Sequence, residues 1–267
     1  MSNLLNPLYL SAVLFFFLLE FAIAAVPSVS LNGYTITGRN SSPNVDEFLG
    51  IPFSAPPVGN LRWRPPQFYQ GAAKGSTVKA DTAKLCRQKK DDKMIGKEED
   101  CNNLNIWKPD SSVTVPTEGF PIMVWIHGGS FTSASPNLSF YNGTKLVEDS
   151  IVLNKPIIMI SIQYRLGGLG FMASDDLQNE YGSYNSTGNY GILDQIFGLK
   201  WIQKNIKLFN GNKNKVTIFG ESAGAYSICT LIASPLTNGV NKGLFSGAIA
   251  ESAYCANSYQ GPNLAKK

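Results

Sequence analysis

The chain has 267 residues and a mass of 29.0 kDa, enough for one large domain with a core of its own. With 43% hydrophobic, 11% aromatic and 16% charged residues and a mean hydropathy of −0.06, the composition excludes a disordered tail, a collagen-like repeat and a multi-spanning membrane protein. The net charge of +4 comes from 23 basic and 19 acidic residues spread along the chain, so no electrostatic footprint for nucleic acid is visible.

In chain order, the first feature is the run LSAVLFFFLL from Leu10 to Leu19, followed by Ala22-Ile23-Ala24. A short apolar stretch ahead of a small-x-small site predicts a secretory signal peptide over residues 1–24, although its start carries no Lys or Arg. Glu20 interrupts the run, which at about 10 residues is short of the roughly 20 needed to span a bilayer, so no stable membrane span is expected. N-x-Ser/Thr sequons at Asn40, Asn137, Asn142 and Asn185 are glycosylation candidates that suit a secreted chain, and secretion permits disulfides.

After the signal, apolar runs and helical periodicities alternate. Residues 120–126 (FPIMVWI) and 156–162 (PIIMISI) read as strands buried on both faces, the pattern of parallel strands in α/β sheets. Between Asn189 and Ile206, apolar residues at Leu193, Ile196, Phe197, Trp201 and Ile202 recur at helical spacing, and Asn210-Gly211-Asn212 supplies turn chemistry. Residues 216–219 (VTIF) read as a short strand, 223–233 as a helix ending at Ser234-Pro235, and 247–250 as one more strand. The alternation predicts one α/β domain over residues 28–267.

Chemistry concentrates at Gly220-Glu221-Ser222-Ala223-Gly224, a G-x-S-x-G sequence between a predicted strand and a predicted helix. In that context a sharp turn lifts the serine hydroxyl above the sheet edge. Glycines flank the serine because a Cβ at either place would clash in so tight a turn. Acyl transfer also needs N–H donors aimed at the carbonyl oxygen that becomes negative. His127-Gly128-Gly129-Ser130-Phe131, directly after the first buried strand, is similar to the glycine-rich loop that supplies them in esterases and lipases.

Further stretches carry a broader resemblance: residues 54–63 (SAPPVGNLRW), 99–107 (EDCNNLNIW), 125–129 (WIHGG), 164–167 (YRLG), 188–195 (GNYGILDQ) and 216–224 (VTIFGESAG). They occur in the order of the type-B carboxylesterase and cholinesterase family, which the chain resembles over about residues 28–255. The resemblance implies an α/β-hydrolase fold, a mostly parallel twisted sheet with flanking helices, and hydrolysis of a small-molecule ester without cofactor or metal. Ser222 would be the nucleophile. Backbone amides of Gly129, Ser130 and Ala223 would form the oxyanion hole, supported by Gly128, Gly220, Glu221 and Gly224. It further implies a Cys86–Cys101 disulfide and ion pairs Arg62–Glu99 and Arg165–Asp194.

Several residues depart from the family pattern. Ser130 replaces a glycine, which strains the loop if that position has φ > 0. Asn102-Asn103 replaces an apolar-aromatic pair and is expected to weaken the strand there. No tryptophan lies between Cys86 and Cys101, where cholinesterases carry their choline-binding one, so choline esters are disfavoured. No histidine follows Ser222, whereas the triad of this fold runs Ser, acid, His, and the resemblance places His127 in the oxyanion loop. The chain is therefore expected to be the N-terminal half of a secreted esterase, truncated after the elbow and inactive alone. The alternative is a truncated, non-catalytic binding, adhesion or structural glycoprotein. Cys255 is expected to be unpaired, because Cys229 falls mid-helix and no cysteine follows Cys255.

Overall fold

The computed structural model describes residues 26–90, 93–96, 98–180, 187–238 and 243–256. The predicted signal over residues 1–24 and the sequon at Asn185 lie outside them. Among the described residues no helix is long and apolar enough to cross a membrane.

Two strands, β1 (Ser28–Leu31) and β2 (Tyr34–Thr37), open the chain, and β5 (Thr77–Lys79) joins them in a small sheet of order β1-β2-β5. The main sheet uses β3 (Arg39–Ser42), β4 (Val45–Pro52), β8 (Asn103–Pro109), β9 (Phe120–Ile126), β10 (Ile158–Ile162), β11 (Gly211–Glu221) and β12 (Gly247–Glu251). A short ribbon, β6 (Gln88–Lys90) with β7 (Lys93–Gly96), precedes β8. The seven main strands lie in the order β12-β11-β9-β10-β8-β4-β3. The four from β12 to β10 are mutually parallel, while β8, β4 and β3 are joined by antiparallel pairing.

Alternation along the parallel strands sorts side chains onto two faces. Ile122, Val124 and Ile126, with Ile158, Ile160 and Ile162 and with Val216 and Ile218, join one core cluster that includes Ile196, Leu199 and Ile202 of the helix Tyr190–Asn205 and Ile228 and Leu231 of the helix Ala223–Ala233. Trp107, Trp125 and Met159 form a smaller cluster on the opposite face with Val147 of the helix Thr144–Val152. The predicted strands and helices therefore stand at or near their expected places. β10 is buried throughout, as its sequence implied, whereas Pro121 in β9 is exposed. The third predicted strand is longer than its apolar run: β11 starts at Gly211 with a register shift before Val216, just after Asn210 turns through φ 65°.

Cys86 and Cys101 are bonded, with Cα atoms 4.9 Å apart. The expectation for Cys255 is corrected: it is bonded to Cys229, Cα to Cα 5.3 Å. The reason is geometric. The helix Ala223–Ala233 starts directly at the end of β11, β12 pairs with β11 in parallel up to Glu251, and Ser252 at φ 60° turns the chain leaving β12. Cys255, although exposed, thereby reaches the helix.

Both expected ion pairs form. Arg62 grips Glu99 with Nε–Oε2 2.7 Å and Nη2–Oε1 3.0 Å near the surface. Arg165 grips the fully buried Asp194 with Nε–Oδ2 2.7 Å and Nη2–Oδ1 2.8 Å. Strand β8 forms from Asn103 onward, beside the Asn102-Asn103 pair expected to weaken it. Both are buried, and the Asn102 amide donates to Asp194 Oδ1 at 2.9 Å and to Ser54 Oγ at 3.0 Å, while that of Asn103 donates to the Cys101 carbonyl at 2.8 Å.

Candidate active site

Ser222 stands between the last residue of β11 and the first of the helix Ala223–Ala233, with φ 53° and ψ −122°. A non-glycine residue in that region carries strain on the order of 1–3 kcal/mol and persists only where its surroundings over-determine it. Here they do. A Cβ on Gly220 would lie 2.7 Å from the Ile126 carbonyl oxygen, and one on Gly224 would lie 2.0 Å from the same atom, so the turn closes directly onto the neighbouring strand. The Ser222 N–H donates to the Glu251 carbonyl at 3.0 Å, and the Ser222 carbonyl accepts from Tyr226 N–H at 3.0 Å. Ala223, as the first helical residue, has an N–H with no partner inside the helix.

The loop after β9 runs beside this turn. A Cβ built on Gly128 would come within 2.7 Å of the Glu221 carbonyl oxygen, 3.1 Å of Glu221 Oε2 and 3.2 Å of Ser222 Cβ, so only glycine lets the loop approach the serine this closely. Gly129 has φ 100°, Ser130 φ 54° and Phe131 φ 60°. The condition set for Ser130 is therefore met: a side chain occupies a left-handed position, at a cost of roughly 1–2 kcal/mol. Gly220, Glu221, Ser222, Ala223, Gly224, Gly128, Gly129 and Ser130 thus converge at the C-terminal ends of adjacent parallel strands, β11 and β9.

Polar residues that the sequence reading did not assign support this place. His127 is completely buried, with Nδ1 2.9 Å from the Gly128 carbonyl oxygen, and burial lowers its ring pKa from the ordinary 6.5 to about 4, against a smaller raising effect of that Gly128 bond. Tyr164 donates its hydroxyl proton to the His127 carbonyl at 2.8 Å. Tyr141, whose hydroxyl is held above its usual pKa by burial and then by the Glu221 charge, lies on the Glu221 side. Under the elbow helix, Gln195 Nε2 donates to Ser227 Oγ at 3.0 Å, and Ser227 donates to the Ala223 carbonyl at 3.0 Å. Tyr164 and Gln195 are distant in sequence from the residues they hold, and no local pattern announces them.

The bonded Cys86 and Cys101 precede β8, with Cys86 Sγ 3.2 Å from the Tyr164 carbonyl oxygen. Asn40 sits on edge strand β3 with its amide donating to Asp46 Oδ1 at 2.9 Å. The exposed Asn137 and Asn142 lie between β9 and the helix Thr144–Val152. Asn137 Oδ1 accepts from the Asn105 amide at 2.8 Å, and Asn142 Oδ1 accepts from Thr144 N–H at 2.9 Å. Beside Ser130 an open apolar depression of about 500 Å³ is lined by Phe131, Gly167, Gly168, Phe171 and Met172.

A mixed sheet with a strained serine between the end of a parallel strand and a helix defines an α/β hydrolase. The Carboxylesterase family model matches residues 23–266, and the chain belongs to that family. It is 39% identical over 227 residues to the fumonisin B1 esterase of Sphingopyxis macrogoltabida, covering 84% of this chain and 38% of that protein. With Lipase 4 of Diutina rugosa it shares 38% over 255 residues, 86% of this chain and 45% of the lipase, and with the human cocaine esterase 38% over 240 residues, 82% and 38%. The chain spans less than half the length of these curated relatives. Among solved structures, a thermophilic PNB esterase superposes with a TM-score of 0.70 at 32% identity over 85% of this chain and 45% of its own, and Aspergillus niger EstA gives 0.70 and 32% over 85% and 41%.

Proposed function

We propose that this protein is a secreted carboxylic-ester hydrolase in which Ser222 attacks the ester carbonyl and the N–H groups of Gly129, Ser130 and Ala223 receive the negative charge that develops on its oxygen. The Ser222 Oγ–carbonyl bond forms, the alcohol leaves carrying a proton, and water then releases the acid from the acyl-enzyme. The observation that carries this reading is the approach of Gly128 to Ser222 Cβ, which brings the glycine-rich loop against the serine. His127 is not the base in this scheme, because its Nδ1 is engaged by Gly128 and its Nε2 is enclosed. Residues 1–267 then supply nucleophile and donors, with the acid and base lying outside them.

The apolar wall of Phe131, Phe171 and Met172 beside Ser130 suits an ester with an apolar acyl or alcohol part. The lack of a tryptophan between Cys86 and Cys101 argues against choline esters. The Leu10–Leu19 run and two disulfides support secretion, with Asn40, Asn137, Asn142 and Asn185 as the candidate glycan acceptors. Hydrolysis of p-nitrophenyl acetate tests the reading. In the protein expressed from its own gene, Ser222→Ala is expected to lower kcat by about 10⁴-fold or more, while residues 1–267 alone hydrolyse no faster than their Ser222→Ala variant. A rate in the whole gene product that is indifferent to Ser222→Ala overturns it.

A further inference from the structure

His127 is the one histidine of the sequence, and it is completely buried with no place in the scheme above. Its ring stacks on that of Tyr164, centroids 4.4 Å apart and planes 18° from parallel. Nδ1 lies 2.9 Å from the Gly128 carbonyl oxygen. A carbonyl only accepts, so Nδ1 must carry the proton. Nε2 is buried without a protein partner, which an unprotonated nitrogen tolerates better than an N–H would.

In a trans peptide the C=O and the following N–H point in opposite directions. The Tyr164 hydroxyl holds the His127 carbonyl, the His127 ring holds the Gly128 carbonyl, and the N–H groups of Thr132 and Ser133 both hold the Gly129 carbonyl at 3.0 Å. Three consecutive carbonyls are tied down, so the three amides that follow them are turned the other way. Two of those amides, Gly129 and Ser130, are the proposed oxyanion donors. The left-handed φ of Ser130 carries strain that such restraint sustains.

The geometry points to His127 as a positioning residue: its neutral ring, donating from Nδ1, clamps the Gly128 carbonyl and thereby aims the Gly129 N–H at the oxyanion position, without itself moving a proton. This deepens the ester-hydrolase reading and rests on it. The titratable groups facing the clamp are Tyr164 after β10, Tyr141 before the helix Thr144–Val152 and Glu221 at the end of β11. Both tyrosines are held above the ordinary tyrosine pKa, chiefly by burial, and stay protonated at neutral pH. Glu221 is the charged member, and a Cβ on Gly128 would lie 3.1 Å from its Oε2.

The test has two arms. In the protein expressed from its own gene, nitrogen-15 NMR with the His127 ring signals assigned by their loss in His127→Phe is expected to show the neutral Nδ1–H tautomer from pH 8 down to about pH 5, because burial lowers the ring pKa to about 4; the Nε2–H tautomer, or protonation near pH 6.5, overturns the proposal. In the protein expressed from its own gene, His127→Phe keeps a stacked ring and loses the donor, whereas His127→Asn restores an N–H near the Nδ1 place. His127→Phe is expected to lower kcat for p-nitrophenyl acetate at least tenfold with KM within about twofold, and His127→Asn to recover most of the loss. Equal rates for the two variants overturn it. If Ser222→Ala leaves the rate untouched, the hydrolase reading fails by itself, and the tautomer arm still decides whether the ring clamps Gly128.

Discussion

The turn after β11 and the loop after β9 end neighbouring parallel strands and meet beside Ser222, yet they are held by different means. The turn is locked by steric closeness: Gly220 and Gly224 let it close onto the Ile126 carbonyl, and a Cβ there would overlap backbone that cannot move aside. The loop is locked mainly through its carbonyls, which Tyr164, the His127 ring, Thr132 and Ser133 hold one after another, while Gly167 N–H holds that of Phe131 at 2.7 Å. Sterics work through the neighbours' shape and tolerate no added atom. Hydrogen-bond clamps depend on chemistry and so respond to protonation and to single side-chain changes. The same strained backbone is thus fixed rigidly on one side and adjustably on the other.

The largest effect is expected where sterics rule. Gly224→Ala would place its Cβ 2.0 Å from the Ile126 oxygen and is expected to cost about 3 kcal/mol or more, read as a lower midpoint in urea denaturation. Gly168→Ala, where an added Cβ meets nothing within 4 Å, is expected to change stability by less than about 0.5 kcal/mol. Similar losses for the two would show that the turn is not closed as tightly as described.

Below the loop, the two arginine–carboxylate pairs separate a buried clamp from a surface one. Arg165 is 2% exposed and its partner Asp194 not at all, and Asp194 also accepts from the Arg165 N–H at 3.1 Å and from Asn102. Arg165→Met leaves a buried carboxylate without its cation and is expected to cost roughly 3–5 kcal/mol. The side chain of Arg62 is 40% exposed, and Arg62→Met is expected to cost less than about 1 kcal/mol. Denaturation of both variants under one set of conditions checks the ratio, and equal costs would remove the distinction.

How much of this was legible in the sequence follows the same division. The elbow could be read because a steric lock requires glycine, and Gly220 and Gly224 stand at fixed spacing around Ser222 after a strand whose isoleucine and valine mark a buried face. The clamps could not be read as clamps, because a tyrosine or histidine that binds a distant carbonyl looks like any other core residue. Strand β4 also escaped, and β8 was legible only through the family resemblance, because polar residues interrupt their apolar pattern. Glu47 is buried yet accepts from Trp107 Nε1 at 2.8 Å, and Asp46 pairs with Lys108 at 3.0 Å. The Cys229–Cys255 bond was misjudged for a related reason: spacing along the chain does not reveal that β12 returns beside the helix that follows Ser222.

Protonation should distinguish the loop from the turn. The His127 ring is neutral in the folded state, with a pKa near 4, and would titrate at the ordinary 6.5 once unfolded. Between those values the unfolded chain binds more protons, so this contribution is full above about pH 6.5 and is lost as the pH falls toward 4, by an amount on the order of 3 kcal/mol. Carboxylates add their own slope below about pH 5. The check is therefore the difference between wild type and His127→Asn, which is expected to flatten the stability profile between pH 6.5 and 5 and to leave it unchanged above pH 7. Parallel profiles would place the titration elsewhere.

The smallest effect is expected at Ser130, where two terms oppose each other. Its φ of 54° costs a side-chain-bearing residue roughly 1–2 kcal/mol, which glycine would not incur. Glycine, however, enlarges the conformational freedom of the unfolded chain, a penalty of about 0.5–1 kcal/mol. Ser130→Gly is therefore expected to stabilise the fold by no more than about 1.5 kcal/mol, seen as a small rise in the urea midpoint with an unchanged m-value. Activity is the finer measure. If the loop's direction is set by the clamped carbonyls rather than by the residue at 130, Ser130→Gly keeps kcat within about twofold, since its N–H follows the Gly129 carbonyl that Thr132 and Ser133 hold. A large change in kcat without a change in stability would mean that the side chain itself, not only its backbone, shapes the site.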